Sequence, residues 1–353
     1  AAGGGRQGEG GGAGREPVTL SIAAEAENPI EALDAFRRSV ARRPFLSHVQ
    51  GIFIGEDLAR EGIDEVVDFL ERHPEIRRSA NVLVTKGGAA ARVLLDAART
   101  LRGGSGVVVT GLLEQAPEAG SIGQVRLGDF AQWLGSGERE AYAPAIELAP
   151  TLPPSVVPLP SAAPDLRGAE GMEAGTAASP WQFRLSGIAV FRGRRLAGFL
   201  EGGEALAFAL VRGGAQRGSL ALDRHGFEGT VEIVEVDPAL RVRIEGSRLA
   251  ATLEISVGAR LAAASGPPRA SREVEADRIE RAIKARLEDE VGRMLSSLQA
   301  WGTDALGIGR QLHARHPAVW HEVQDRWPEA FARIPFSVSV RARLLAAGPV
   351  AGW

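Results

Sequence analysis

A change of hydrophobic period after Leu261 constrains the fold of this chain more than any other feature. Between residues 249 and 261, apolar side chains alternate with mostly polar or small ones, which predicts a long strand with one buried face. From residue 271 to residue 301 they recur at spacings of three and four, which predicts an amphipathic helix. The recurring residues are Ile279, Ile283, Leu287, Val291, Leu295 and Leu298. Both elements need an apolar partner, so we expect the helix to cover the sheet.

The sequence around this strand predicts the remainder of an antiparallel sheet. Residues 231–236 and 240–245 predict a hairpin that turns at Asp237 and Pro238, since proline is unfavourable inside a central strand. Residues 336–344 predict a last strand. The C-terminal part is therefore expected to be an antiparallel sheet covered by one long helix.

The first 213 residues predict strands that alternate with helices, and then a hairpin. The expected strands are 18–22, 51–55 and 81–85, the helices 29–42, 63–70, 89–101, 127–134 and 204–211, and the hairpin 183–191 with 195–200. The expected fold class is α+β, with three mixed α/β domains. Their expected bounds are a Gly-rich tail at 1–15, then 16–137, 138–213 with a long loop at 161–179, and 214–353.

Composition excludes several function classes. The net charge of −3 argues against a broad nucleic-acid face, and the absence of cysteine excludes disulfides and thiolate metal sites. Neither lysine follows a glycine, so no phosphate-binding P-loop is present. Gly103, Gly104 and Gly106 precede a predicted strand instead of opening a helix, which argues against dinucleotide binding.

Histidines and serines offer weak candidates for chemistry. His313, His316 and His321 have no carboxylate at a standard ligand spacing, and Pro317 interrupts the helix between the last two. Ser47 and His48 have no nucleophile elbow of the form G-x-S-x-G to support them. We therefore expect no catalytic residue, no metal and no cofactor.

Two groups of residues are candidates for a protein-interaction surface. The first is the basic cluster Arg37, Arg38, Arg42 and Arg43, for which a solvated helix face is the alternative. The second contains His313, Trp320 and Trp327. The two tryptophans are seven residues apart and share one face if the helix between them is continuous. Their alternative place is the core of the C-terminal domain.

Three stretches carry a resemblance to a known family. Residues 41–77 include H-V-Q-G-I-F-I-G-E-D-L-A-R-E-G-I-D, and residues 186–200 are S-G-I-A-V-F-R-G-R-R-L-A-G-F-L. Near the end, Asp304, Gly307, Pro317, Trp320, Trp327, Phe331 and Gly348 follow the family's order and approximate spacing. In all three stretches the chain resembles the Ger(x)C family, the C-subunit lipoproteins of spore germinant receptors.

The resemblance implies fold, location and partners. Family members have three mixed α/β domains, no known catalytic residues, a signal peptide and a lipid-modified (palmitoylated) cysteine. They lie on the outer face of the inner spore membrane beside two integral-membrane subunits, A and B, and take part in nutrient sensing. The family's N-terminal cysteine segment does not precede Ala1, so we expect this chain to be soluble and monomeric.

Two alternatives to a purely structural receptor subunit stay open. The chain could itself bind a small germinant, for which a cavity of several hundred Å³ would be the sign. It could also be an uncharacterised hydrolase, which would need a nucleophile within hydrogen-bond reach of a base.

Overall fold

The computed structural model describes residues 23–40, 44–87, 105–150, 181–246, 248–264 and 272–345. Within these residues the chain is α+β, with two mixed sheets and helices packed against them. The predicted fold class is thereby confirmed. The three-domain bounds stay a prediction. Several predicted features lie outside the described residues: the tail at 1–15, the strand at 18–22, the helix at 89–101, the loop at 161–179, Arg42 and Arg43.

The first sheet contains five strands in sequence order. They are β1 (Gly51–Gly55), β2 (Asn81–Thr85), β3 (Tyr142–Pro150), β4 (Trp181–Arg192) and β5 (Arg195–Leu200). The pairs β1–β2 and β2–β3 are parallel, while β3–β4 and β4–β5 are antiparallel. All five residues of β2 are buried, as expected for an inner strand of a covered sheet.

Six described helices accompany the first sheet. They are α1 (Pro29–Ser39), α2 (Glu56–Glu61), α3 (Asp64–Arg72), α4 (Ser105–Gln115), α5 (Leu127–Ser136) and α6 (Gly202–Val211). Helix α4 occupies the segment where a strand was predicted after Gly106. That prediction was wrong because a short, continuous apolar run has the same pattern in a buried strand and in a buried helix.

The second sheet contains four strands in sequence order. They are β6 (Gly218–Arg224), β7 (Phe227–Glu245), β8 (Arg248–Ala264) and β9 (Phe336–Leu344). The predicted hairpin at Asp237 and Pro238 does not form, because β7 continues through both residues. Strand β6 pairs with β7 only as far as Ile233, so Pro238 has β8 alone beside it, opposite Ile255. Proline is tolerated there because an edge strand does not need its missing N–H.

The long helix α7 (Arg272–Trp301) covers the second sheet, as predicted. Its apolar stripe from Ile279 to Leu298 is buried, together with Leu253, Ile255 and Val257 of β8. The same helix also contacts α6 and β5, and one cluster of buried apolar side chains runs through both sheets. Helix α7 thus joins the two halves of the described chain.

Three short helices connect α7 to β9. They are α8 (Ile308–Arg315), α9 (Pro317–Val323) and α10 (Trp327–Phe331). This crossover returns the chain in the same direction as β8, so β8 and β9 are parallel. The second sheet is therefore mixed, which corrects the prediction that it is antiparallel throughout. The same crossover carries three of the predicted site residues.

Candidate functional site

Arg37 and Arg38 lie on the exposed last turn of α1. Asn28 caps this helix, since its Oδ1 accepts a hydrogen bond from the Glu31 amide at 3.0 Å, and Pro29 occupies the first turn. Arg37 donates to Asp34 Oδ1 at 3.1 Å. An exposed pair of this kind contributes between about 0 and 1 kcal/mol. The Arg37 guanidinium is therefore available to a partner at little cost in stability.

A groove of about 710 Å³ runs between α1 and α3, and Arg37 lies on its edge. Its apolar lining is Pro29, Ile30, Leu33, Phe69 and Pro74, and its charged lining is Glu31, Arg37, Glu65, Asp68 and Arg72. Ile30 is 64 % exposed. An apolar strip with charged edges is the usual composition of a protein–protein interface. We call this surface the α1–α3 groove.

The other predicted group surrounds a buried carboxylate. Asp304 follows α7, and its Oδ1 accepts hydrogen bonds from the amides of Gly307 at 2.8 Å and Ile308 at 2.9 Å. Its Oδ2 accepts from the Gly309 amide at 2.6 Å and from Trp327 Nε1 at 3.2 Å. The carboxylate thus satisfies amides at the start of α8, which have no partner inside the helix. We call these five residues the Asp304 node.

Trp320 and Trp327 are core residues, 3 % and 4 % exposed, and this corrects their inclusion in a surface. Their rings lie 5.2 Å apart in an edge-to-face arrangement. The helix between them is not continuous, because a 3-10 turn at Gln324–Arg326 separates α9 from α10. They meet because the short helices fold back on each other.

His313 ties α8 to the segment that precedes β3. Its Nδ1 lies 2.6 Å from Glu138 Oε1, and its ring stacks on Trp320 at 5.8 Å. The side chain is still 39 % exposed. The rings of His313 and His321 are also 5.8 Å apart, but the described residues contain no group of three or more metal-type side chains. Of the second predicted group, His313 alone is accessible.

Two further charged residues beside the Asp304 node were missed from the sequence. Arg139 is 7 % exposed and lies over the Trp133 ring at 3.9 Å from its centre. Burial, together with the nearby Arg212, lowers the pKa of Arg139 to about 10. Burial raises the pKa of Glu140, against a 2.8 Å hydrogen bond from the Gly193 amide. Neither residue stands in a recognisable motif.

Burial likewise raises the pKa of Asp304, against its four hydrogen-bond donors. The node connects distant parts of the chain, since the Glu140 amide donates to the Asp304 carbonyl at 3.0 Å. Gly309 is required where the helices meet: a Cβ there would lie 2.7 Å from the Glu138 carbonyl and 2.8 Å from Trp320. These contacts describe a structural joint between the first sheet and the crossover helices.

Among the described residues, no helix combines the length and apolar character needed to cross a membrane.

Comparison with known proteins gives the same family along most of the chain. Residues 1–148 match the family model described as "Spore germination protein N-terminal domain", and residues 186–348 match "Spore germination B3/ GerAC like, C-terminal". The chain is 24 % identical over 346 residues to spore germination protein KC of Bacillus subtilis (strain 168), covering 96 % of this chain and 82 % of the relative.

A second relative and a solved structure agree with this result. Spore germination protein B3 of Bacillus subtilis (strain 168) is 22 % identical over 343 residues, covering 95 % of this chain and 83 % of its own length. The crystal structure of the GerBC protein has the same fold, with a TM-score of 0.61 at 18 % identity, over 85 % of this chain and 79 % of that one. The chain belongs to the Ger(x)C family of spore germination proteins.

Proposed function

We propose that this chain is a non-enzymatic subunit of a receptor that starts spore germination in response to nutrients. Its membership of a spore germination family supports the process. The Asp304 node supports a role without catalysis, because its carboxylate is fully engaged with amides and an indole.

The α1–α3 groove is the observation that carries this proposal. Ile30 exposes an apolar side chain beside Leu33 and Phe69, and the charged side chains border them. Covering such a surface removes apolar area from water, while the charges fix the orientation of the partner. We assign the groove to contact with the integral-membrane A and B subunits of the receptor.

The proposed location is the outer face of the inner spore membrane, reached through a lipid on the full-length protein. A single acyl chain gives only marginal membrane binding. Contacts with the A and B subunits would supply the remaining affinity, so the groove and the lipid act together.

Co-purification of the full-length, lipid-carrying protein with the A and B subunits tests the proposal. We expect Arg37→Glu, combined with Ile30→Asp, to reduce recovery of both subunits and to slow the response of spores to nutrients. Arg241→Glu is the control, because Arg241 also makes an exposed ion pair, with Glu254 at 3.2 Å, but lies on the second sheet. It should leave assembly unchanged.

Normal assembly and normal germination with the groove variant would contradict the groove assignment. Assembly that fails equally with the Arg241 control would show that charge reversal acts generally and not through this surface. Comparable melting temperatures of the purified variants establish that both fold.

A further inference from the structure

A second cavity, distinct from the α1–α3 groove and the Asp304 node, opens where β1 and β2 begin. Its volume is about 320 Å³. Its lining side chains come from the segments before both strands, from α4 and from the segment before α5. They are Ser47, His48, Val49, Gln50, Arg77, Ser79, Asn81, Thr110 and Gln124. All but Val49 are polar, which is unusual for a cavity that serves packing alone.

Asn81 lines this cavity and carries a buried, unsatisfied acceptor. It is the first residue of β2 and is 7 % exposed, and its backbone amide donates to the Gln50 carbonyl at 2.9 Å. Its side-chain Oδ1 has no hydrogen-bond partner among the described residues. A buried acceptor left without a donor costs about 1–3 kcal/mol. The strand continues with apolar Val82, Leu83 and Val84, so an apolar residue would fit the packing at lower cost.

The charge of the lining is one-sided. Arg77 is a cation, and none of the lining residues is Asp or Glu. Within the described part of the chain Arg77 makes no ion pair, whereas its neighbour Arg78 pairs with Glu71 and also donates to the Gly128 carbonyl. A guanidinium offers paired N–H donors that match the two oxygens of a carboxylate.

From these observations we propose that the cavity binds a small organic carboxylate that also carries a hydrogen-bond donor, such as an amino acid or a hydroxy acid. Its carboxylate binds Arg77, and its ammonium or hydroxyl group donates to Asn81 Oδ1. The hydroxyl groups of Ser47, Ser79 and Thr110 form hydrogen bonds with the remaining polar atoms of the ligand. The volume suits a molecule of a few heavy atoms, at the lower end of ligand-pocket sizes. This inference goes beyond the proposed function, which requires protein contacts only.

Isothermal titration of the purified chain with L-serine and with L-lactate tests the proposal, with D-glucose and propylamine as probes that lack a carboxylate. We expect at least one carboxylate to bind and neither of the other two probes to do so. Arg77→Gln should weaken that binding by about tenfold or more, because it removes the guanidinium group and its paired donors. Arg78→Gln, one residue away and outside the cavity, should leave it unchanged.

Asn81→Leu gives an independent measurement of the donor contact. The substitution should weaken the binding of L-serine and L-lactate. It should also raise the free energy of unfolding or leave it unchanged, since it removes the unsatisfied acceptor. If this variant does not fold, Thr110→Val replaces it at the same cavity. The proposal is overturned if neither carboxylate binds, if D-glucose or propylamine binds as tightly, or if Arg77→Gln and Arg78→Gln have equal effects.

Discussion

The α1–α3 groove and the Asp304 node both combine charged and apolar side chains, but only the groove is open to water. In the groove, Ile30 is largely exposed and the charged groups make exposed contacts. In the node, Trp327 and Asp304 are buried, and each oxygen of the Asp304 carboxylate accepts two hydrogen bonds. An exposed apolar side chain calls for a partner, whereas a buried, satisfied polar group already has its partners within the chain.

Replacing Trp327 by Ala should produce the largest difference between the two regions. The substitution leaves a cavity beside Trp320 and removes a hydrogen bond to Asp304, so we expect it to lower the free energy of unfolding by about 3–5 kcal/mol. Ile30→Ala in the groove should change it by less than about 0.5 kcal/mol. Urea unfolding of both variants measures the contrast. Equal losses would mean that the two regions do not differ as described.

Asp304→Asn sharpens the comparison, because it keeps the size of the side chain and removes its charge. The Asn oxygen can still accept from Gly307 and Ile308, but its NH₂ group would face the donors of Gly309 and Trp327. We expect a loss of about 1–3 kcal/mol in the free energy of unfolding, since a buried donor is left unsatisfied. A loss no larger than that of an exposed substitution would show that the carboxylate is not needed.

Glu140→Gln tests the electrostatics of the node by their dependence on pH. Burial raises the folded-state pKa of Glu140 above its ordinary value of 4.5. The contribution of Glu140 to stability is therefore full below pH 4.5 and is lost as the pH rises through the raised pKa. We expect the stability of Glu140→Gln relative to the parent chain to increase from pH 4 to pH 7. Unfolding in urea at several pH values measures it, and a difference that does not change with pH would contradict the assignment.

Arg37→Glu alone should have the smallest effect on stability. Its contact with Asp34 is exposed, so the melting temperature of the purified chain should scarcely change. Differential scanning calorimetry checks this, with Arg38→Glu as the neighbour that does not line the groove. A clear loss of stability with Arg37→Glu would place Arg37 in the fold and remove it from the interaction surface.

Elements with strong periodicity could be predicted from the sequence. The apolar stripe of α7 repeats over several helical turns, and the alternation in β8 repeats over several residue pairs. Each segment therefore fits only one of the two periods, that of a helix or that of a strand. The strand expected after Gly106 and the hairpin expected at Pro238 failed for a different reason. Their local patterns fit two conformations, and contacts with other elements selected between them.

The candidate site was predicted in part. The sequence marked Asp304, Gly307 and Trp327 as members of one motif, but gave no indication that Arg139 and Glu140 lie beside them. Arg139 is buried against Trp133, and its neighbour Arg212 comes from α6, so its surroundings depend on how distant helices pack. The polar cavity at Arg77 and Asn81 could not be predicted from the sequence either, since its lining comes from four separate segments.

The sequence by itself determined the two periods that define a helix-covered sheet and the family to which the chain belongs. These depend on residues close together along the chain or on an ordered pattern of residue types. Only the tertiary structure decided that Trp320 and Trp327 are buried and that His313 meets Glu138, which lies 175 positions away. Burial and long-range pairing are properties of the packed chain, because the free energy of each contact depends on which surfaces the fold removes from water.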